Sequence, residues 1–391
     1  MCQLGMVWSA AHWDSKAPPG RFAPTSVRHR AANCGHSPFR GESSINSLPA
    51  IPCCPLFRLE KHMRTLLVAL TLLLFGQLPA AHAQNVTQPY HAGIARIEVP
   101  AEVPFTALVW YPTDAGEGSW QVGARALPAT HDAALADGRF PVVLLAHGAG
   151  SSGGSPLVLS ELSAFLARSG FVVVAPFQGA FKGKAGLLFR PLQVKLALDA
   201  MLADPRFRQH ADPARLGMLG FSLGGAVALR LAGGVPDFEH LATYCAAHPD
   251  DAKSCGTGPS DETTAAPSKQ PQAADISPPT PRLPVKALAL LDPFAVLYTP
   301  AGLAAVKIPT LVFRPKQSDL GEENLDALIA GLPYPPKVDY VSGGHFVIVD
   351  ICPPAVQAEA PEICSDPPGV DRAAVHTEIE TTILKFFREN L

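Results

Sequence analysis

The chain has 391 residues, too many for one average domain and suited to one large domain with attachments. Apolar residues make up 47% and charged residues 17%, which excludes a chain disordered throughout. A formal charge of −3, from 31 basic and 34 acidic residues, gives no electrostatic case for nucleic acid as a partner.

Residues 1–62 carry four cysteines (Cys2, Cys34, Cys53, Cys54) and seven prolines, with no sustained apolar period. They read as a disordered extension upstream of the natural start. Met63-Arg64 then opens an apolar stretch over 66–75, interrupted only by Thr71 and followed by Gly76, Pro79 and the triplet Ala81-His82-Ala83. A short basic region, an apolar core of about ten residues and an A-x-A site describe a secretory signal. The apolar core is too short to span a bilayer, which takes about 20 residues. The expectation is a signal peptide over 63–83, cut after Ala83. It would leave 84–391 as one secreted or periplasmic domain with no stable membrane span.

Extended segments are expected over 95–99 and 105–111. The run 140–146 is a short, continuous apolar segment, the pattern of a strand buried on both faces. The pattern repeats over 171–175 and 216–219, and later over 285–291, 309–313 and 338–341. Helices are expected between these strands over 157–168, 192–202, 223–232 and 323–329. A last helix places Val375, Ile379, Ile383 and Phe386/Phe387 on one face. Buried strands alternating with helices predict an α/β fold: a mostly parallel, doubly wound sheet with helices on both faces.

One segment interrupts the pattern. Residues 256–284 hold seven prolines among many Ser, Thr, Ala, Gln and Asp, a composition that reads as a disordered surface insert. Polarity argues for a passive loop over a lid. Four cysteines follow residue 83, and four allow three connectivities. Local closure, Cys245–Cys255 and Cys352–Cys364, is the expected pairing, each bridge contributing about 2–3 kcal/mol. Neither pair has the close spacing of a zinc site.

The chemistry concentrates in three loops. Gly220-Phe221-Ser222-Leu223-Gly224 is G-x-S-x-G, after a short apolar strand and before a helical run, the setting of a nucleophile elbow. The turn is so tight that Gly220 and Gly224 must lack side chains. The serine then stands at a helix N-terminus, where backbone N–H groups favour negative charge. His147-Gly148-Ala149-Gly150 follows the strand at 140–146, in the position that supplies a second oxyanion donor. The expected donors are the N–H groups of Leu223 and Ala149, with His147 holding its loop by hydrogen bonds. Ser342-Gly343-Gly344-His345 follows the strand at 338–341. His345 is the histidine after Ser222 that sits in a glycine-flanked loop beyond a strand, whereas His240 and His248 are placed in loops and His376 in a helix. His345 is therefore the expected base. Two residues compete for the acid. Asp292 ends the strand over 285–291, on a rigid element that suits an orienting carboxylate. Asp319 lies further into a loop, after the strand preceding the last one. No H-E-x-x-H, Walker or dinucleotide motif is present.

The order His147-Gly148-Ala149-Gly150, Gly220 to Gly225, Leu290-Leu291-Asp292-Pro293 and Gly343-Gly344-His345-Phe346 resembles the α/β-hydrolase superfamily. Within it, the chain resembles secreted bacterial proteins described as predicted dienelactone hydrolases, themselves similar to platelet-activating-factor acetylhydrolase. The tail from Cys352 through Cys364 to Arg372 resembles the same bacterial group. The resemblance spans about 96–391 apart from the insert. It implies Ser222 as nucleophile, His345 as base, Leu223 and Ala149 as oxyanion donors, and Asp292 as acid. The chain departs from true dienelactone hydrolases, which use a cysteine nucleophile where Ser222 stands, so their substrate does not carry over. The expected function is a secreted, monomeric serine hydrolase of small or extended carboxylic esters, with no metal or organic cofactor. A serine peptidase or amidase would use the same residues. A non-catalytic binding protein is the remaining alternative, although such proteins usually lose one of the three.

Overall fold

A computed structural model describes residues 88–149, 154–178, 183–256 and 281–391. The expected extension 1–62, the signal 63–83 and residues 257–280 of the insert lie outside the described residues, as do Gly150, Ser151 and Ser152. All described residues belong to one compact unit, Ala83–Leu391.

Strands β1 (His91–Val99) and β2 (Phe105–Thr113) open the unit as an antiparallel pair. The short strands β3 (Trp120–Val122) and β4 (Arg125–Leu127) form a separate ribbon, and β5 (Thr130–His131) adds to β1. From β6 (Phe140–Ala146) onward strands and helices alternate: α1 (Ser160–Arg168), β7 (Val172–Pro176), α2 (Gly183–Ala203), β8 (Ala211–Phe221) and α3 (Leu223–Leu231). Then come α4 (Phe238–Ala247), β9 (Ala287–Leu291), β10 (Thr310–Pro315), α5 (Glu323–Gly331), β11 (Lys337–Val341) and α6 (Arg372–Asn390). Among the described residues nine strands form one sheet in the order β11-β10-β9-β8-β6-β7-β2-β1-β5. The neighbours from β11 to β7 are all parallel.

The apolar runs become strands because both faces of the sheet are covered. Along β6, Val142, Leu144 and Ala146 enter one core with Leu187, Val194, Val227 and Leu290. Val143 and Leu145 enter a second core on the opposite face, with Leu162, Leu166, Ile379 and Ile383. Thus α2 and α3 cover one face, and α1 and α6 the other. Burying one such aliphatic side chain contributes about 1.5–3 kcal/mol. The apolar face read in the last helix is present: Val375, Ile379, Ile383 and Phe387 are all buried. Asp371 starts that helix by accepting from Ala374 N at 3.1 Å.

The elements differ from expectation where local context overrides local sequence. Helix α2 begins at Gly183 rather than 192, with Pro191 inside it. A proline there strips Leu187 O of its helical donor; Arg230 Nη1 takes that carbonyl at 2.7 Å instead. Helix α4 contains His240, which was expected in a loop. Its start is fixed by Asp237, whose carboxylate accepts from Glu239 N and His240 N. The insert was placed at 256–284, but its flanks are part of the fold. Gly256 closes the one-turn helix Ala252–Cys255, and Leu283 is buried with its N–H on Leu231 O at 2.9 Å. The disulfides Cys245–Cys255 and Cys352–Cys364 span Cα distances of 5.5 and 5.6 Å. Among the described residues no helix is long and apolar enough to cross a membrane.

The strand order reverses at β6. The chain leaves β6 for β7 on one side and returns to β8 on the other. Such a switch point opens a crevice beyond the C-terminal strand ends. The register aligns those ends: Ala146 lies opposite Gly220, Phe221 opposite Leu291, and Leu291 opposite Phe313.

Candidate active site

Ser222 stands between β8 and α3 with φ 54° and ψ −120°. A side chain with this backbone is rare and strained, and is held only by its surroundings. Ser222 N donates to Leu291 O at 3.0 Å, and Ser222 O accepts from Gly225 N and Phe294 N at 2.8 and 2.9 Å. The flanking glycines are steric requirements. A Cβ on Gly224 would stand 1.9 Å from Ala146 O, and one on Gly220 would stand 2.5 Å from Gly224 O.

His345 opens the turn after β11, and its ring is almost fully buried. Its Nε2 lies 3.1 Å from Ser222 Oγ, and its Nδ1 lies 2.7 Å from Asp292 Oδ2. A carboxylate only accepts, so the Nδ1 proton donates to Asp292 and leaves Nε2 to accept from the serine hydroxyl. Phe221 stacks on the imidazole at 5.0 Å between centroids, and Phe346 meets it edge-on at the same distance. Gln317 fastens the loop ahead of His345: its Oε1 accepts from Gly343 N at 2.7 Å, and its N–H donates to Gly343 O at 3.0 Å.

Asp292 is fully buried, with φ 40°. Its N–H bonds Phe313 O at 2.9 Å, which ties the turn to β10. Besides His345, its carboxylate accepts from Arg314 Nη1 at 2.8 Å and from Ser318 Oγ. The structure therefore brings Asp292 to His345. Asp319, the competing acid, has a 61% exposed side chain, 3.4 Å from Lys253 Nζ. Lys253 Nζ in turn lies 4.3 Å from the centre of the Phe346 ring, at the rim of the site.

Of the expected oxyanion donors, Leu223 follows the serine directly and Ala149 belongs to the loop after β6. Leu223 is the first residue of α3, a position whose N–H has no partner within the helix. The loop after β6 lies against Ser222, since a Cβ on Gly148 would come within 3.3 Å of Ser222 Cβ. Gly148 O and Ala149 N belong to one peptide unit. That carbonyl accepts from His147 Nδ1 at 2.9 Å and from buried Arg190 Nη1 at 3.2 Å, which fixes the direction of the Ala149 N–H. Burial, with Arg190 close by, pushes the His147 imidazole down to about 3, so this histidine is neutral.

Sequence reasoning missed Arg314, Ser318, Gln317 and Arg190. The one available signal was a lone arginine closing the apolar strand Thr310–Pro315. Among the described residues no group of three or more His, Cys, Asp or Glu side chains is gathered to hold a metal ion.

No family profile matches the sequence, and no curated protein matches it. Among solved structures the chain is similar to a ferulic acid esterase from Streptomyces cinnamoneus. The TM-score is 0.52 at 18% sequence identity, covering 81% of this chain and 92% of that one. Together with the mostly parallel sheet, this gives the chain the α/β-hydrolase fold.

Proposed function

We propose that this chain is an exported serine hydrolase that cleaves carboxylic esters. The observation that carries the reading is the hydrogen-bonded relay Ser222–His345–Asp292, at 3.1 and 2.7 Å. His345 takes the Ser222 proton as Oγ attacks the ester carbonyl. The N–H groups of Leu223 and Ala149 receive the oxyanion, each worth about 10²–10³ in rate. Asp292 stabilises the imidazolium. His345 then returns the proton to the departing alkoxide and leaves an acyl-serine. A water, deprotonated by His345, releases the acid and restores Ser222. The named ester-cleaving neighbour supports the ester class, not a particular ester. Export rests on the segment 63–83 and agrees with two disulfides, which persist in oxidising compartments.

The test is hydrolysis of p-nitrophenyl acetate through decanoate and of a matched anilide. Wild type, Ser222→Ala, Asp292→Asn and Asp319→Asn are compared, all expressed from Met63. Ester hydrolysis is expected in wild type, lost in Ser222→Ala and about 10⁴-fold lower in Asp292→Asn. Asp319→Asn should stay within about twofold, as an exposed charge outside the relay. The exported product should begin at Gln84. A folded wild type without esterase activity contradicts the reading, and a fully active Asp292→Asn removes Asp292 from it. Anilide cleavage as fast as ester cleavage would make the protein an amidase.

A further inference from the structure

We propose that Arg314 is a positioning residue for the relay, one that fixes the Asp292 carboxylate and, through the turn 317–320, the His345 loop. The inference rests on the relay reading. Arg314 follows Phe313, whose register partner on β9 is Leu291, so it sits at the same level as Asp292 on the neighbouring strand end. Both side chains are buried, with 7% and 0% exposure. The two carboxylate oxygens are divided. Oδ1 takes Arg314 Nη1 at 2.8 Å, and Oδ2 takes His345 Nδ1 at 2.7 Å together with Ser318 Oγ. This division fixes the carboxylate plane and turns Oδ2 toward the imidazole.

The other branch of the guanidinium supports the base. Arg314 Nη2 donates to Leu320 O at 2.6 Å, and Leu320 N donates to Ser318 Oγ at 3.1 Å. The turn so closed also carries Gln317, which holds Gly343 in the His345 loop. One arginine therefore braces the acid and, through 317–320, the base. A lysine cannot copy this, because its compact ammonium lacks the planar fork.

The experiment compares wild type, Arg314→Met and Arg314→Lys. It measures kcat and KM on p-nitrophenyl butyrate, and follows the His345 Nδ1 proton by NMR at one fixed pH, with His345→Gln for assignment. In Arg314→Met that proton signal should shift and broaden as the Asp292 carboxylate loses its fixed plane. Its kcat should fall about ten- to a hundredfold through misplacement of the relay, with KM within about twofold. Arg314→Lys keeps the charge without the planar fork and should leave kcat reduced. A folded Arg314→Met with wild-type kcat and an unmoved Nδ1 proton signal overturns the proposal. If Arg314→Met does not fold, a wild-type kcat in Arg314→Lys overturns it. The NMR shift needs no turnover, so a wild type that cleaves no ester would sink the hydrolase reading while the coupling is still read.

Discussion

At Ser222 the backbone stands at φ 54°, and neither glycine flank has room for a methyl group. At Gly224 the obstacle is Ala146 O, a backbone atom inside the sheet that cannot swing aside. Gly224→Ala should therefore lower the unfolding free energy by about 3 kcal/mol and abolish turnover. Gly116, where a Cβ meets nothing within 4 Å, is the control, and Gly116→Ala should stay within about 0.5 kcal/mol. Denaturant titration reads both, and equal stabilities would contradict the steric account. This rigidity is why Ser222 could be recognised in the sequence: a strand, a serine between glycines and a helix are local features. The acid was harder. Asp292 and Asp319 both follow buried strands, and only the nearness of Asp292 to its strand end separates them locally. The distinction lies in the register that sets Asp292 beside β10 and in the left-handed turn at φ 40° that aims it at His345. Arg314 could not be read as a partner, because a charge at a strand end reads as the chain leaving the core.

Helix α1 shows how elements hold the site together. Its N-terminus has no cap of its own; Asp350, 190 residues away, accepts from Ser160 N and Ser160 Oγ at 2.7 and 2.6 Å and from Glu161 N at 3.1 Å. Asp350 follows the turn His345–Ile348, so the segment bearing the base is anchored to α1. The seam between α1 and α6 gathers further carboxyls. Burial pushes Asp350 up to about 7, against the donors that favour its anion. Burial, then Glu161, pushes Glu380 up to about 7 from its ordinary 4.5. A raised carboxyl is held protonated in the folded chain while the unfolded chain releases the proton. Its stabilising contribution is complete below about 4.5 and is lost as pH rises through about 7. Glu380→Gln removes this loss. Its Tm relative to wild type should rise between pH 5 and about 7 and level off above, and a pH-independent offset would contradict the linkage. The buried histidines His147 and His376, both lowered, act with opposite sign and cancel in the comparison. The sequence pattern revealed α6 through its 3.6-residue period, but not α4 or the start of α2. Asp237 caps the first, and Arg230 relieves the proline in the second, a contact between positions 43 residues apart.

On the scale of the whole molecule, the proposed site draws on separate strand ends that converge at one edge. The loop after β6 supplies Ala149, the turn after β8 Ser222, the turn after β9 Asp292, the end of β10 Arg314, and the loop after β11 His345. The alternation of buried strands with helices made this architecture legible, since only a parallel sheet covered on both faces accommodates it. The disulfide Cys245–Cys255 secures the hairpin behind the rim. There Ser254 Oγ accepts from buried Asn324 Nδ2 at 2.8 Å, and Asn324 Oδ1 accepts from Ala295 N and Val296 N, just past Asp292.

The most direct measurement of the central claim is covalent labelling with an alkyl fluorophosphonate, read by intact mass and peptide mapping. The probe needs a serine oxygen activated by its base, and fluoride leaves as the Oγ–phosphorus bond forms. The account requires one adduct per chain, on the peptide that contains Ser222. It also requires no adduct in Ser222→Ala and labelling at least about 100-fold slower in His345→Ala. A folded wild type that takes no label, a label on another residue, or an unchanged rate in His345→Ala would contradict it.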